Sequence, residues 1–236
     1  MMSMNIDYTK DLLEYSHTLG ASLAGVTELK SLQTLKTSPP NLLENFSYAI
    51  SLAVALPRRV FDLITNDNPG ELYAHYYKTA NSLLDHITFC LSEKIVTHGY
   101  SSLAIPASLS IGPDKLFSNA SHKAFARSAG LGWIGKNLLL ITPKFGPRVR
   151  LGTVLTDIPL KPNKPLDGFT CGNCTKCIEA CPIQALKDTK FEVYPVNREE
   201  VFDAKKCHTR LEKMGKKEFI GVSVCGICIQ ACPIGE

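Results

Sequence analysis

The run Cys171-x2-Cys174-x2-Cys177-x3-Cys181-Pro182 has the spacing that wraps thiolates around an iron–sulfur cube. Soft thiolates suit iron, and three closely spaced cysteines let one short loop supply three corners of the cube. In runs of this kind the fourth cysteine, followed by proline, ligates a second cluster. The tail carries the counterpart, Cys225-x2-Cys228-x3-Cys232-Pro233, in which the missing first position falls on Val222. Moving that ligand upstream to Cys207 divides the cysteines without remainder. Cluster one takes Cys171, Cys174, Cys177 and Cys232; cluster two takes Cys181, Cys207, Cys225 and Cys228; only Cys90 is left over. Two [4Fe-4S] clusters and single-electron transfer are the chemistry this pattern implies.

A zinc ribbon would hold one tetrahedron between two Cys-x2-Cys pairs and gives no reason for a third cysteine in the triplet or for two Cys-Pro endings. A disulfide scaffold belongs to small secreted domains. This chain begins Met-Met-Ser-Met-Asn-Ile-Asp without an apolar signal segment, so a reducing cytoplasm is expected. Cys90 falls on a helical stripe with Leu83, Ile87 and Leu91 and reads as a buried core thiol.

The elements that must position these ligands follow from patterning. Of the 236 residues, 44% are hydrophobic and 20% charged, and no apolar stretch is long enough to span a bilayer. A net charge of +4 is too small to demand nucleic acid. Lys205, Lys206, Arg210, Lys213, Lys216 and Lys217 gather either as a solvated surface or as a face for an acidic electron donor or phosphate.

Tyr8, Leu12, Tyr15 and Leu19 predict an opening helix closed by Gly20, and residues 23–26 a short strand. The Pro39-Pro40 pair marks a loop, and residues 49–56 a strand buried on both faces. Leu72, Tyr76, Leu83, Ile87, Leu91 and Ile95 predict a long helix, and residues 119–129 a shorter one. Residues 138–141 and 149–155 read as two strands joined by a turn at Pro143 and Gly146-Pro147. The expected fold is a mixed α/β (α+β) sheet with covering helices over residues 1–160. A small double-cluster domain over residues 161–236 follows it, the proline-bearing segment 159–168 being the linker.

The segment Gly130-Leu131-Gly132-Trp133-Ile134-Gly135-Lys136-Asn137 imitates two nucleotide motifs. Gly130, Gly132 and Gly135 match G-x-G-x-x-G, and Gly130 to Lys136 nearly matches a P-loop, with Asn137 in place of the magnesium-binding hydroxyl. Both motifs follow a strand and open a helix, whereas here a helix ends and a strand begins, so neither reading holds. Two readings stay open: glycines that let a large planar ligand approach the backbone beside Trp133, or a tight turn around a core tryptophan.

This segment, with Leu139-Leu140-Ile141, Leu151-Gly152, Thr156-Asp157-Ile158-Pro159-Leu160 and the cysteine order including Lys206-Cys207-His208, resembles the epoxyqueuosine reductase family, which is related more distantly to reductive dehalogenases. The resemblance is specific from about Ala124 to Pro233. It implies a nitroreductase-like α/β domain beside a ferredoxin-like double-cluster domain. It further implies a cobalamin bordered by residues 130–137 and reduced through the clusters. The alternative readings are a double-cluster electron carrier or reductive activator with no bound corrinoid, and a flavin-dependent reductase with FMN in the same α/β domain. Reduced ferredoxin or flavodoxin would be the electron donor, and a corrinoid protein a possible acceptor. The chain departs from the family in two respects. The family's catalytic aspartate aligns with Leu116 and its following glutamate with His122, which leaves Asp114 and His122 as the candidate proton donors. The chain also stops at Glu236, where relatives continue into a region that helps hold tRNA, so a tRNA substrate is not expected.

Overall fold

The computed structural model describes residues 7–112, 117–168, 170–195 and 197–235. Its centre is a four-stranded antiparallel sheet made of β1 (Leu23–Glu28), β2 (Tyr48–Ala55), β3 (Ser102–Ile105) and β6 (Val149–Thr156), in the order β1-β2-β6-β3. The register pairs Leu23 with Ala53, Ile50 with Val154 and Ile105 with Thr153. Strand β2 is buried along nearly its whole length because both faces of the sheet are covered. Its alternation divides the core in two. Ile50, Leu52 and Val54 point toward α1 (Tyr8–Thr18) and α3 (Glu71–Thr97). Ala49 packs with Phe125 of α4 (His122–Ser128) on the other face.

The long helix forms as the spacing requires, but its buried stripe is Tyr73, Ala80, Leu84, Ile87, Leu91 and Ile95. Leu72 and Tyr76 are exposed. A Cβ on Gly152 of β6 would stand 3.1 Å from Thr88 and 3.2 Å from Leu84, so the glycine lets α3 lie close to the sheet. Cys90 sits one position off the stripe and is half-exposed, with its sulfur 3.8 Å from His86 Nε2, which corrects the buried reading.

Two expectations change at the glycine segment. The helix predicted over residues 119–129 is limited to α4, capped by the Ser121 side chain. The two predicted strands do not pair with each other. β5 (Leu140–Ile141) pairs instead with β4 (Trp133–Ile134) in a separate two-stranded ladder. The apolar residues of this short stretch, Leu131, Ile134, Leu138 and Leu140, pack in a small cluster with Ala53 of β2 and with Val149 and Leu151 of β6. The segment after β6 is held along the edge of β1, since Asn163 N–H donates to Val26 O at 2.9 Å and Val26 N–H to Asn163 Oδ1 at 2.7 Å.

The cysteine-bearing tail contributes α5 (Lys176–Glu179), α6 (Ala204–Gly215) and α7 (Ile227–Gln230). Ile220, Val224 and Ile227 enter the same core as Phe61, Ile64 and Tyr73. Gln230 Nε2 donates to Phe61 O at 2.8 Å and to Ile64 O at 3.1 Å. Among the described residues no helix is long and apolar enough to cross a membrane.

Candidate functional site

Each thiol is delivered by a short, locally determined element. The Cys171–Cys174 loop closes through Cys174 N–H on Cys171 O at 3.0 Å, and Cys177 lies in α5. Cys207 lies in α6, whose Asp203 cap accepts from Lys206 N–H at 2.8 Å. Cys228 lies in α7, which is entered through Gly226 at φ +82°. A Cβ at Gly226 would stand 2.4 Å from Ile64 Cδ1 and 2.9 Å from Tyr73 Cε1, so glycine allows this loop to press against α3.

The thiols gather in two neighbourhoods. Burial pushes the Cys177 thiol up to about 11, with Cys171, Cys232 and Cys174 beside it adding to the shift. Cys207 is likewise pushed up to about 11 by burial, next to Cys225 and Cys181. Cys228 is raised by burial and by Cys207, Cys225, Cys177 and Cys181. The two sets lie near enough that Cys177 and Cys181 both act on Cys228. All nine cysteines are free thiols. Among the described residues no group of three or more His, Cys, Asp or Glu side chains is set to hold a single metal ion. Donors to sulfur are already in place. Ala185 N–H donates to Cys181 Sγ at 3.4 Å, and Arg210 Nε–H donates to Cys225 Sγ at 3.3 Å. Crowded, half-buried thiols with N–H donors aimed at them fit iron–sulfur ligation, which requires thiolates and tunes them through such hydrogen bonds.

The glycine segment stands between these thiols and the sheet. Trp133, Ile134 and Lys136 line a cleft of about 480 Å³ whose opposite wall includes Cys171, Lys190 and Phe191. Lys136 is nearly buried and bonds Asp188 at 2.7 Å, while Asn137 Nδ2 donates to Cys228 O at 3.3 Å. The glycines do not form an open cradle. A Cβ on Gly130 would stand 2.5 Å from Lys164 O, on Gly132 2.2 Å from Ile141 O, and on Gly135 2.7 Å from Ile141 Cγ1. Their bare faces are taken up by the protein's own chain, so the steric ground for seating a corrin on residues 130–137 is absent. Leu131 is buried within the small apolar cluster.

Of the candidate proton donors, Asp114 lies outside the described residues, as does Leu116. His122 is engaged at both ring nitrogens: Nδ1 is 2.8 Å from Thr153 Oγ1 and Nε2 is 3.0 Å from Pro106 O. Burial holds its pKa below the ordinary 6.5. A neutral ring that donates from Nε2 and accepts at Nδ1 satisfies both bonds and pins α4 to the sheet.

Sequence reasoning missed a polar network between α3 and β6. Arg150, the lone charge in the otherwise uncharged strand β6, donates from Nε to Asn81 Oδ1 at 2.9 Å and from Nη2 to Tyr77 Oη at 3.3 Å. Its guanidinium lies 4.3 Å from the Tyr77 ring centroid, and Tyr77 Oη is 3.0 Å from Ser108 Oγ. Burial raises the Tyr77 pKa, but the Arg150 charge and the bonds from Ser108 and Asn81 outweigh it and leave the phenol below its ordinary 10.0. Tyr73 joins this network to the thiols. Its ring centroid is 6.4 Å from that of Tyr77, and Cys228 and Cys225 are among the groups acting on it. Leu72 and Tyr76 of α3, like Leu109, are exposed apolar side chains.

Residues 170–235 match the 4Fe-4S double cluster binding domain. The epoxyqueuosine reductase of Bacillus cereus is 27% identical over 208 residues, which is 75% of this chain and 52% of that protein. The chain thus spans about half the length of the curated relatives it matches. A reductive dehalogenase structure interpreted in terms of B12-dependent dehalogenation superposes over 99% of this chain and 33% of its own, with a TM-score of 0.77 and 20% identity. An epoxyqueuosine reductase bound to a tRNA-Tyr stem loop superposes over 95% of this chain and 64% of its own, with a TM-score of 0.59 and 24% identity. The expectation against tRNA is withdrawn, because the region this chain matches occurs in a protein whose structure holds a tRNA stem loop. The chain therefore joins a double [4Fe-4S] cluster binding domain to an α/β unit with the fold of epoxyqueuosine reductases and reductive dehalogenases.

Proposed function

We propose that this protein is a corrinoid-dependent reductase in which single electrons pass from cluster one to cluster two and on to a reaction centre beside Tyr77 and Arg150. The ligands are Cys171, Cys174, Cys177 and Cys232 for cluster one, and Cys181, Cys207, Cys225 and Cys228 for cluster two. The observation that carries this reading is the packing of Cys225 and Tyr77 against the core that holds Tyr73, with the Tyr73 and Tyr77 ring centroids 6.4 Å apart. A corrinoid bound there supplies two-electron reducing power at cobalt. Reduction of a substrate takes up protons as well as electrons, and Tyr77 holds one at Oη. Arg150 supports its release by stabilising the phenolate, and Asn81 fixes the guanidinium in place.

Reduced ferredoxin or flavodoxin delivers electrons at cluster one, whose Cys171 borders a cleft lined by Arg127 and Lys190 together with Asp167 and Glu192. The substrate class carried over from the relatives is an epoxyqueuosine-bearing tRNA stem loop.

Anaerobic reconstitution followed by titration with cob(II)alamin tests the reading, since corrinoid and flavin bands differ from broad cluster absorption. Corrinoid binding with reduction of the stem loop is the expected result, and Tyr77→Phe should lower turnover without altering iron content. Binding of FMN in place of cobalamin, or no binding of either, would overturn it.

A further inference from the structure

Arg210 lies one helical turn after Cys207 on α6, so a single element carries a ligand of cluster two and a cation directed at that cluster. Its Nε–H donates to Cys225 Sγ at 3.3 Å, and its charge also acts on Cys207. Its Nη2 donates to the Asn66 carbonyl, in the loop that leads from α2 (Arg58–Asp62) into α3. The guanidinium is therefore held from both sides and cannot rotate away from the sulfur without giving up a bond.

A cluster gains negative charge when it accepts an electron, and a donor N–H with a full positive charge beside its sulfur stabilises that reduced state. The sulfur of Cys181 receives the neutral backbone N–H of Ala185 instead, at 3.4 Å. Around cluster one, Arg148 acts on Cys232 through its charge, while its Nη1 donates to Ile234 O at 3.2 Å.

We propose that Arg210 is a positioning residue that raises the reduction potential of cluster two relative to cluster one, so that an electron arriving at cluster one settles on the cluster next to Tyr73. The inference rests on the ligand assignment above. In each transfer cluster one loses one electron and cluster two gains one, with no bond made or broken.

The test is a redox titration of the reconstituted full chain, followed by electron paramagnetic resonance, on the wild type, Arg210→Gln and Arg210→Lys. In Arg210→Gln one of the two midpoint potentials should fall while the other stays. A tenfold change in the reduced-to-oxidised ratio, about 59 mV for a one-electron couple, is the scale expected. Arg210→Lys, which keeps the charge but not the directed Nε–H, should fall between the two. Two unmoved potentials in either loaded variant, or equal shifts of both, would overturn the proposal. A second measurement needs no variant: arginine labelled with 15N in the wild type should give a hyperfine coupling on one cluster only. Its absence would refute the sulfur contact even where both variants fail to load cluster two. A wild type that assembles fewer than two clusters would instead remove the double-cluster reading, and the proposal with it.

Discussion

Replacing Gly132 with alanine separates a packed turn from a ligand cradle. Gly132 lies outside the left-handed region, so the added methyl brings no backbone penalty of its own. Its whole effect is collision. The new carbon would stand 2.2 Å from Ile141 O, 2.8 Å from Ile141 C and 3.1 Å from Thr142 Cα, all backbone atoms. Relieving the first contact requires a shift of roughly 1 Å at the point where β4 and β5 exchange their hydrogen bonds, which overpacking studies place at the upper end of about 1–3 kcal/mol. For a chain of this size the melting temperature should fall by roughly 6–12 °C. Gly135→Ala provides the internal comparison, because its nearest neighbour is the side-chain Cγ1 of Ile141 at 2.7 Å and not a backbone atom, and its cost should be smaller. Thermal unfolding of reconstituted protein, followed by circular dichroism, reads both values. An unchanged melting temperature in Gly132→Ala combined with lost cobalamin binding would refute the packing argument and restore the cradle.

Cys207→Ser should lose the iron of one cluster while Cys90→Ser keeps full iron and sulfide, since Cys90 lies on α3 beside His86 and away from both quartets. Chelation of iron should open the segment around α5, which contains no buried residue, to trypsin at Lys176 and Lys187. Residues 220–230 should stay protected by Ile220, Val224 and Ile227 in the shared core, and equal cleavage of both regions would contradict this. For His122 the folded pKa lies below the ordinary 6.5, so the unfolded chain binds the extra proton first. Its contribution to stability is present above pH 6.5 and is lost as pH falls below it. The wild type should therefore lose stability on acidification more steeply than His122→Asn, and parallel slopes in denaturant titrations would remove the assignment.

The double-cluster region was legible because its chemistry is local: three cysteines within seven residues can only be read together, and residues 170–235 match the double cluster binding domain. The sheet was legible where burial on both faces leaves an unbroken apolar run, as in β2. Tyr77 and Arg150 are 73 residues apart, and nothing in a helix periodicity or a strand pattern connects them. The arginine alone was a usable signal, since a strand that reads Val-Arg-Leu-Gly-Thr-Val-Leu-Thr must explain its one charge. The glycine segment misled because a residue without a side chain says that something approaches the backbone and not what approaches it. Here that something is Ile141 and Lys164.

Beside the core that Ile220, Val224 and Ile227 share with Phe61, Ile64 and Tyr73, three further contacts hold the tail to the rest of the chain. Lys136 reaches Asp188 before the second cysteine group, Asn137 reaches the carbonyl of Cys228 within it, and Gly146 crosses the chain end so closely that a Cβ would stand 2.0 Å from Ile234 O. Three contacts spread along the cysteine-bearing tail resist both translation and rotation against the sheet, where one would act as a hinge. Arg150 and Tyr77 are anchored in that sheet through β6 and α3. Fixing the tail to the sheet therefore also fixes the path from Cys228 through Tyr73 to Tyr77. Under the proposed electron path, the turn at residues 130–137 acts with that core as a strut between the cysteine-bearing tail and the sheet.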